Sequence, residues 1–203
     1  ERVMKSVTSW LERKLFLKVS ATKTKIVRPS NSNFLGFTFW KNKDKWQCKP
    51  GKDRKMKLYE KIKVILKRKR AVSKPLGITF TKLNQIIKGW INYFKIGNMK
   101  GFLVEFGQWL RHKVRVIIIK QWKIPSRIYT NLQRLNKAFK CNFDDESIYD
   151  DGSIYDDESI YKFANSRLGW YRRSSMDVVN YILSPKALAQ ANKKKGRSGL
   201  ANL

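Results

Sequence analysis

The chain has 203 residues, with 45 Lys plus Arg against 15 Asp plus Glu and a formal net charge of +30. At 42% hydrophobic and 13% aromatic it is rich enough in apolar side chains to bury a core, which excludes a disordered basic tail. An imbalance of this size points to a polyanionic partner, and nucleic acid is favoured because neutralised phosphates release counterions. No long apolar run, signal-peptide pattern or lipidation motif favours the competing reading, an anionic membrane surface.

In chain order, Val3, Val7, Trp10, Leu11 and Leu15 fit one helical face, already in progress at the first residue, as expected of a carboxy-terminal piece of something longer. Phe16–Val19 and Lys25–Val27 read as short strands of a hairpin around Ser20–Thr24. Phe34-Leu35-Gly36-Phe37-Thr38-Phe39-Trp40 alternates like a strand, turning at residues 41–45 towards Trp46–Lys49, and Pro50-Gly51 punctuates the end of this first unit.

Between Arg54 and Arg70, Leu58, Tyr59, Ile62, Ile65 and Leu66 support a basic amphipathic helix ending near Pro75, and Thr81 is a candidate N-cap for the next. Leu83, Ile86, Ile87, Trp90 and Phe94 mark a second stripe; Phe102, Phe106, Trp109, Leu110, Lys113 and Ile117 mark a third. Gly97 and Gly101 flank the turn between them. Pro125 suits the first turn of a further helix carrying Ile128, Tyr129, Leu132, Leu135 and Phe139.

Residues 144–161 are three hexapeptides, DDESIY, DDGSIY and DDESIY, holding eight of the fifteen acidic side chains. They are too few for a solenoid and lack EF-hand spacing, so an expanded surface loop is expected. Beyond it, Phe163–Arg173 sets aromatics beside arginines, and Met176–Leu183 reads as a helix capped by Ser174 or Ser175. Cys48 and Cys141 stand far apart, without the spacing of a disulfide framework or a zinc site. His112 has no nucleophile motif beside it and reads as a helix-surface or RNA-facing residue.

Several motifs in order resemble the carboxy-terminal half of a group II intron reverse transcriptase/maturase. Phe16–Thr24 is similar to the late-palm L-x-V-N-x-x-K-T segment, with Ser20 in place of Asn, and Phe34-Leu35-Gly36-Phe37 to the FLGF primer grip. Leu83-Asn84 with Gly89–Phe94 resembles the L-N…G-W-x-N-Y-F segment of the maturase-specific region, also called domain X or thumb. Trp109-Leu110-Arg111 and Lys120-Gln121-Trp122-Lys123 continue it, and Ala164–Arg172 resembles the closing A-N-[ST]-R-x-G-x-W-R element with its aromatic order altered.

The resemblance implies an α+β chain: a short helix-and-hairpin palm remnant followed by a mainly α-helical thumb/maturase bundle. Its expected divisions are 1–50 for the palm end, 51–140 for the thumb/maturase-specific domain, 141–162 for the acidic repeat loop and 163–203 for the terminal maturase part. It implies a region that assists intron RNA folding and splicing, the RNA itself doing the chemistry, and that grips template-primer in a full-length parent, whose amino-terminal reverse transcriptase portion is a further candidate partner.

The expected RNA-binding residues are Lys88, Arg111, Lys113, Arg115, Lys120, Lys123, Arg127, Arg172 and Arg173. Phe34, Leu35, Gly36 and Phe37 would form the primer-grip-like element, and Lys23 the late-palm lysine. The family's Y-A-D-D aspartates lie upstream of the palm segment matched here, so polymerase activity and its Mg2+ are expected only of the full-length enzyme. No catalytic residue, metal site or other cofactor is assigned to this chain, and the expected location is bacterial cytoplasm or an organelle. Ile148-Tyr149-Asp150-Asp151 is a false match, since its tyrosine directly precedes the aspartates. The alternatives are an inert remnant of a degraded mobile element and a general basic nucleic-acid-binding module.

Overall fold

A computed structural model describes residues 2–43, 45–140 and 155–184. It is mainly helical with one small antiparallel sheet, an α+β chain, and divides into two compact units: Glu1–Arg54 with Ile96–Asn98, and Lys55–Lys95 with Met99–Leu203. No helix among the described residues is long and apolar enough to cross a membrane.

The first unit opens with α1 (Arg2–Leu15), whose apolar face is left uncovered: Val3, Val7, Trp10 and Leu15 are exposed, and no residue of the helix is buried. The hairpin expected over Phe16–Val27 does not form. Ser20 instead takes the local bonds, its carbonyl accepting from the Lys23 and Thr24 amides and from the Thr24 hydroxyl, so the backbone closes a tight turn with no ladder on either side.

The sheet is β1 (Asn33–Phe34), β2 (Phe37–Asn42) and β3 (Lys45–Pro50), paired in that order. Phe34 pairs with Phe37, and Phe39 with Cys48. The β1–β2 turn is Leu35-Gly36, at φ 52° and 86°, the two positive values of a type I′ hairpin that match the right-handed strand twist. The positive φ of Gly36 is what favours glycine here, and a Cβ would lie 2.7 Å from the Arg54 Nε, so that side chain would have to shift. Gly97 is cramped too: its Cβ would meet the Cys48 carbonyl at 3.2 Å, while the Asn98 amide donates to that carbonyl at 2.8 Å.

The second unit holds α2 (Lys52–Ile65, entered through its first turn), α3 (Arg68–Ser73), α4 (Leu76–Phe94), α5 (Lys100–Trp122) and α6 (Pro125–Lys140). Then come α7 (Asp157–Ala164), α8 (Trp170–Arg173) and α9 (Asp177–Ile182). Ile62, Leu83, Ile119, Ile128, Leu132, Ile160 and Val179 are fully buried in one continuous core. An aromatic cluster extends it, Tyr59 meeting Trp109 edge-on at 4.8 Å and Phe102 stacking on Phe106 at 5.7 Å.

Several boundaries differ from expectation. The Arg54–Arg70 helix breaks at Leu66-Lys67, where Leu66 turns inward and is buried. Helix α4 begins at Leu76, five residues before Thr81, whose hydroxyl therefore bonds back to the Gly77 carbonyl instead of capping. Met176 is the N-cap residue of α9 and no side chain caps it; the Ser174 and Ser175 hydroxyls are directed elsewhere.

The acidic repeat changes most. Its first two copies, up to Ile154, lie outside the described residues, but the third is not loop: Asp156 is the N-cap of α7, accepting from the Ser159 amide at 3.1 Å. The Ser159 side chain first, and then this amide, hold the Asp156 carboxyl below its ordinary pKa by hydrogen bonding. Glu158 pairs with Lys162 one turn on at 2.7 Å, and Ile160 is fully buried.

Candidate nucleic-acid interface

The helical unit presents its cations from a rigid frame. In α5 the buried positions Phe106, Leu110, Val114, Ile117 and Ile118 fix the helix against its neighbours, which sets where Arg111, Lys113 and Lys120 emerge, all half-buried. Lys88 on α4, Lys123 after α5 and Arg127 on α6 are exposed, as is Arg172 on α8. Among the described residues no hydrogen bond or ion pair ties Lys88, Arg111, Lys120, Lys123, Arg127 or Arg172.

Two expected contact residues are used inside the fold. Arg173 is 5% exposed; its Nη2 donates to the Phe163 and Ala164 carbonyls at 3.0 and 3.1 Å, satisfying the last turn of α7. Its guanidinium also lies over the Phe163 and Trp170 rings, at 5.0 and 5.2 Å, and burial lowers its pKa. Arg115 is half-buried and donates to the Asn180 Oδ1 and, at 3.3 Å, to the Asn180 carbonyl, joining α5 to α9; burial, then the nearby Arg111, lower its pKa. Arg173 is thus corrected from an RNA contact to an internal brace, and Arg115 is largely engaged in the same way.

The Lys120–Lys123 motif divides its work. Gln121 Nε2 donates to the carbonyls of Ala71 and Val72 at 3.2 Å and of Lys74 at 2.8 Å, closing the carboxyl end of α3. Lys123 takes φ 59° and ψ −69°, and the Ile124 amide reaches the Trp122 carbonyl at 2.8 Å: a γ-turn of the positive-φ kind, strained for a residue with a Cβ. Helix α6 starts immediately at Pro125, as its fixed φ favours.

His112 lies between two hydroxyls, Nε2 at 3.2 Å from the Ser174 Oγ and Nδ1 at 3.2 Å from the Ser175 Oγ, with its ring centroid 4.2 Å from that of Tyr171. Burial, then Lys113 and Arg115, push its pKa down, favouring the neutral ring. It is therefore a joint between α5 and the segment after α8.

Within the first unit Lys23 is exposed on its turn. Phe34 and Leu35 are exposed on the hairpin, Gly36 is buried and Phe37 half-buried, so the four-residue element is a hairpin tip presenting two apolar side chains. Among the described residues no three His, Cys, Asp or Glu side chains gather as metal ligands would. Lys63, Arg68 and Tyr171, absent from the expected set, stand around a shared cleft. Basic periodicity in α2 was visible in the sequence, but Tyr171 reaches the cleft only through folding.

Fold and charge define a strongly basic helical domain. Residues 55–136 match the family model of the group II intron maturase-specific domain. Comparison with curated proteins found no match.

Proposed function

We propose that the helical unit binds group II intron RNA, neutralising phosphates so that the compact, catalytically folded RNA is favoured, and that in a reverse transcriptase parent the same unit acts as the thumb that grips template-primer. The carrying observation is the charge of the matched domain: residues 55–136 contain twenty Lys and Arg against two acids, Glu60 and Glu105. A surface with so few carboxylates cannot neutralise itself, and phosphates supply the missing charge. The RNA performs the splicing chemistry, while the protein contributes binding energy that shifts the RNA's conformational population. The first unit, with its FLGF hairpin and Lys23, is the end of a palm in this reading.

The test is filter binding of the whole chain to the RNA flanking its gene and to an unrelated structured RNA, across a salt series. The expected result is tighter binding to the flanking RNA and a steep fall in log affinity with log salt. Replacing Lys88, Lys120, Lys123 and Arg127 together by Gln should flatten that slope by about one for each phosphate no longer neutralised. An unchanged slope would reject this surface, and equal affinity for the two RNAs would leave only a general basic binder.

A further inference from the structure

A cleft of about 230 Å³ opens on the helical unit where the end of α2, the start of α3, the middle of α5 and α8 converge. Three cations stand around it, Lys63, Arg68 and Lys113, and no carboxylate lines it. Two aromatic side chains share the same cleft. Trp109 is held edge-on by Tyr59 at 4.8 Å, and so offers a fixed wall. Tyr171 is 59% exposed although its ring is positioned by His112 at 4.2 Å and by the Lys113 Nζ at 5.5 Å. Leu66 and Ile117 are buried and supply an apolar floor.

These features select one kind of ligand. A rim of cations without a carboxylate takes an anion, yet a bare phosphate would leave both aromatic walls and the apolar floor without use. The volume falls below the roughly 300–1,000 Å³ typical of sites for drug-sized molecules, so it suits a single ring system. Bases stacked inside a duplex cannot offer their faces to protein aromatics, whereas unpaired ones do. We propose that this cleft receives one unpaired nucleotide, its base against Trp109 and Tyr171 and its phosphates on Lys63, Arg68 and Lys113. The proposal rests on the RNA-binding reading above and adds what that reading lacks, a preference for bulged or looped RNA over a continuous helix. Tyr171 lies beyond the matched residues 55–136, so the site is completed by the segment carrying α8.

The experiment uses the whole chain and three RNA hairpins of one sequence: fully paired, with a single bulged 2-aminopurine nucleotide, and with an abasic bulge. The bulged base should bind about tenfold tighter than the abasic bulge, the size expected of one base stacking on aromatics, and its fluorescence should be quenched on binding. Tyr171→Ala should remove the preference and the quenching, and Tyr171→Phe should retain both; their circular dichroism shows whether each has folded. Equal, salt-dependent binding of bulged and abasic hairpins would overturn the cleft while leaving the RNA-binding surface intact. Absence of salt-dependent binding to any hairpin would overturn both. A polyglutamate competitor that reverses the quenching as well as unlabelled bulged RNA at equal charge would show a merely anionic site and reject the nucleotide.

Discussion

Helix α1 and helix α7 invert what their sequences advertise. The first is fourteen residues long and strongly two-faced, with a tryptophan on its apolar side, yet it buries nothing. The second is eight residues long and begins inside an acidic repeat, yet it buries Ile160, Phe163 and Ala164. A periodic stripe states that a helix has a face to hide; it does not supply the surface that hides it. Conversely, repetition at the level of residues is compatible with a defined place in a core, provided that one copy supplies a cap, a buried aliphatic and the right continuation. Only the third copy is followed by Lys162-Phe163-Ala164, and that continuation is what the core receives.

The contrast can be broken most directly by truncation on each side of it. Ile160→Ala should destabilise the helical unit by about 3 kcal/mol, the range for emptying a fully buried aliphatic site, whereas Trp10→Ala should change stability by less than about 0.5 kcal/mol; urea melts of the two variants measure both. A comparable destabilisation in Trp10→Ala would show that α1 is covered after all. Next in size, Arg173→Ala should cost about 2 kcal/mol because it leaves the final carbonyls of α7 without their donor, while Arg172→Ala, one residue away and exposed, should leave the melt unmoved and reduce RNA affinity.

The smallest effect concerns pH. His112 binds its proton less readily in the fold than in the unfolded chain, so its contribution is fully present above the ordinary value of 6.5 and declines as pH falls below it. Stability measured between pH 7 and 5.5 should therefore drop towards the acid side. His112→Gln, an amide able to serve both serines, should flatten that dependence, and an equal slope in the variant would assign the titration elsewhere.

Much of the helical unit was legible because its stripes are long: Leu83 in α4, and Phe106, Leu110 and Ile117 in α5, all fall in the core where their spacing put them. The β2–β3 pairing was legible from alternation, and the match over residues 55–136 agrees with the maturase motifs. What escaped depends on competition between local and distant partners. Phe16–Val27 has strand-like residues but no ladder to join, so Ser20 folds the backbone back on itself. Thr81 has the chemistry of a cap but lies inside a helix whose start is set by Pro75 and Leu76. Arg173 looked like a phosphate ligand because a side chain that satisfies carbonyls and one that satisfies phosphates are the same guanidinium. The cleft around Trp109 escaped for a related reason, since its walls come from three separated stretches of sequence that only the fold brings together.

The turn at Lys123 has a mechanical consequence. Between the last residue of α5 and the first of α6 there are only Lys123 and Ile124, one in a strained positive-φ conformation and the other restricted by the proline that follows. Such a joint has almost no slack, so it behaves as a bracket rather than a tether. The charges of Lys120, Lys123 and Arg127 are thereby mounted on one stiff corner, and a nucleic-acid backbone laid across it would meet a spacing set by the main chain, with only the side chains left to adjust.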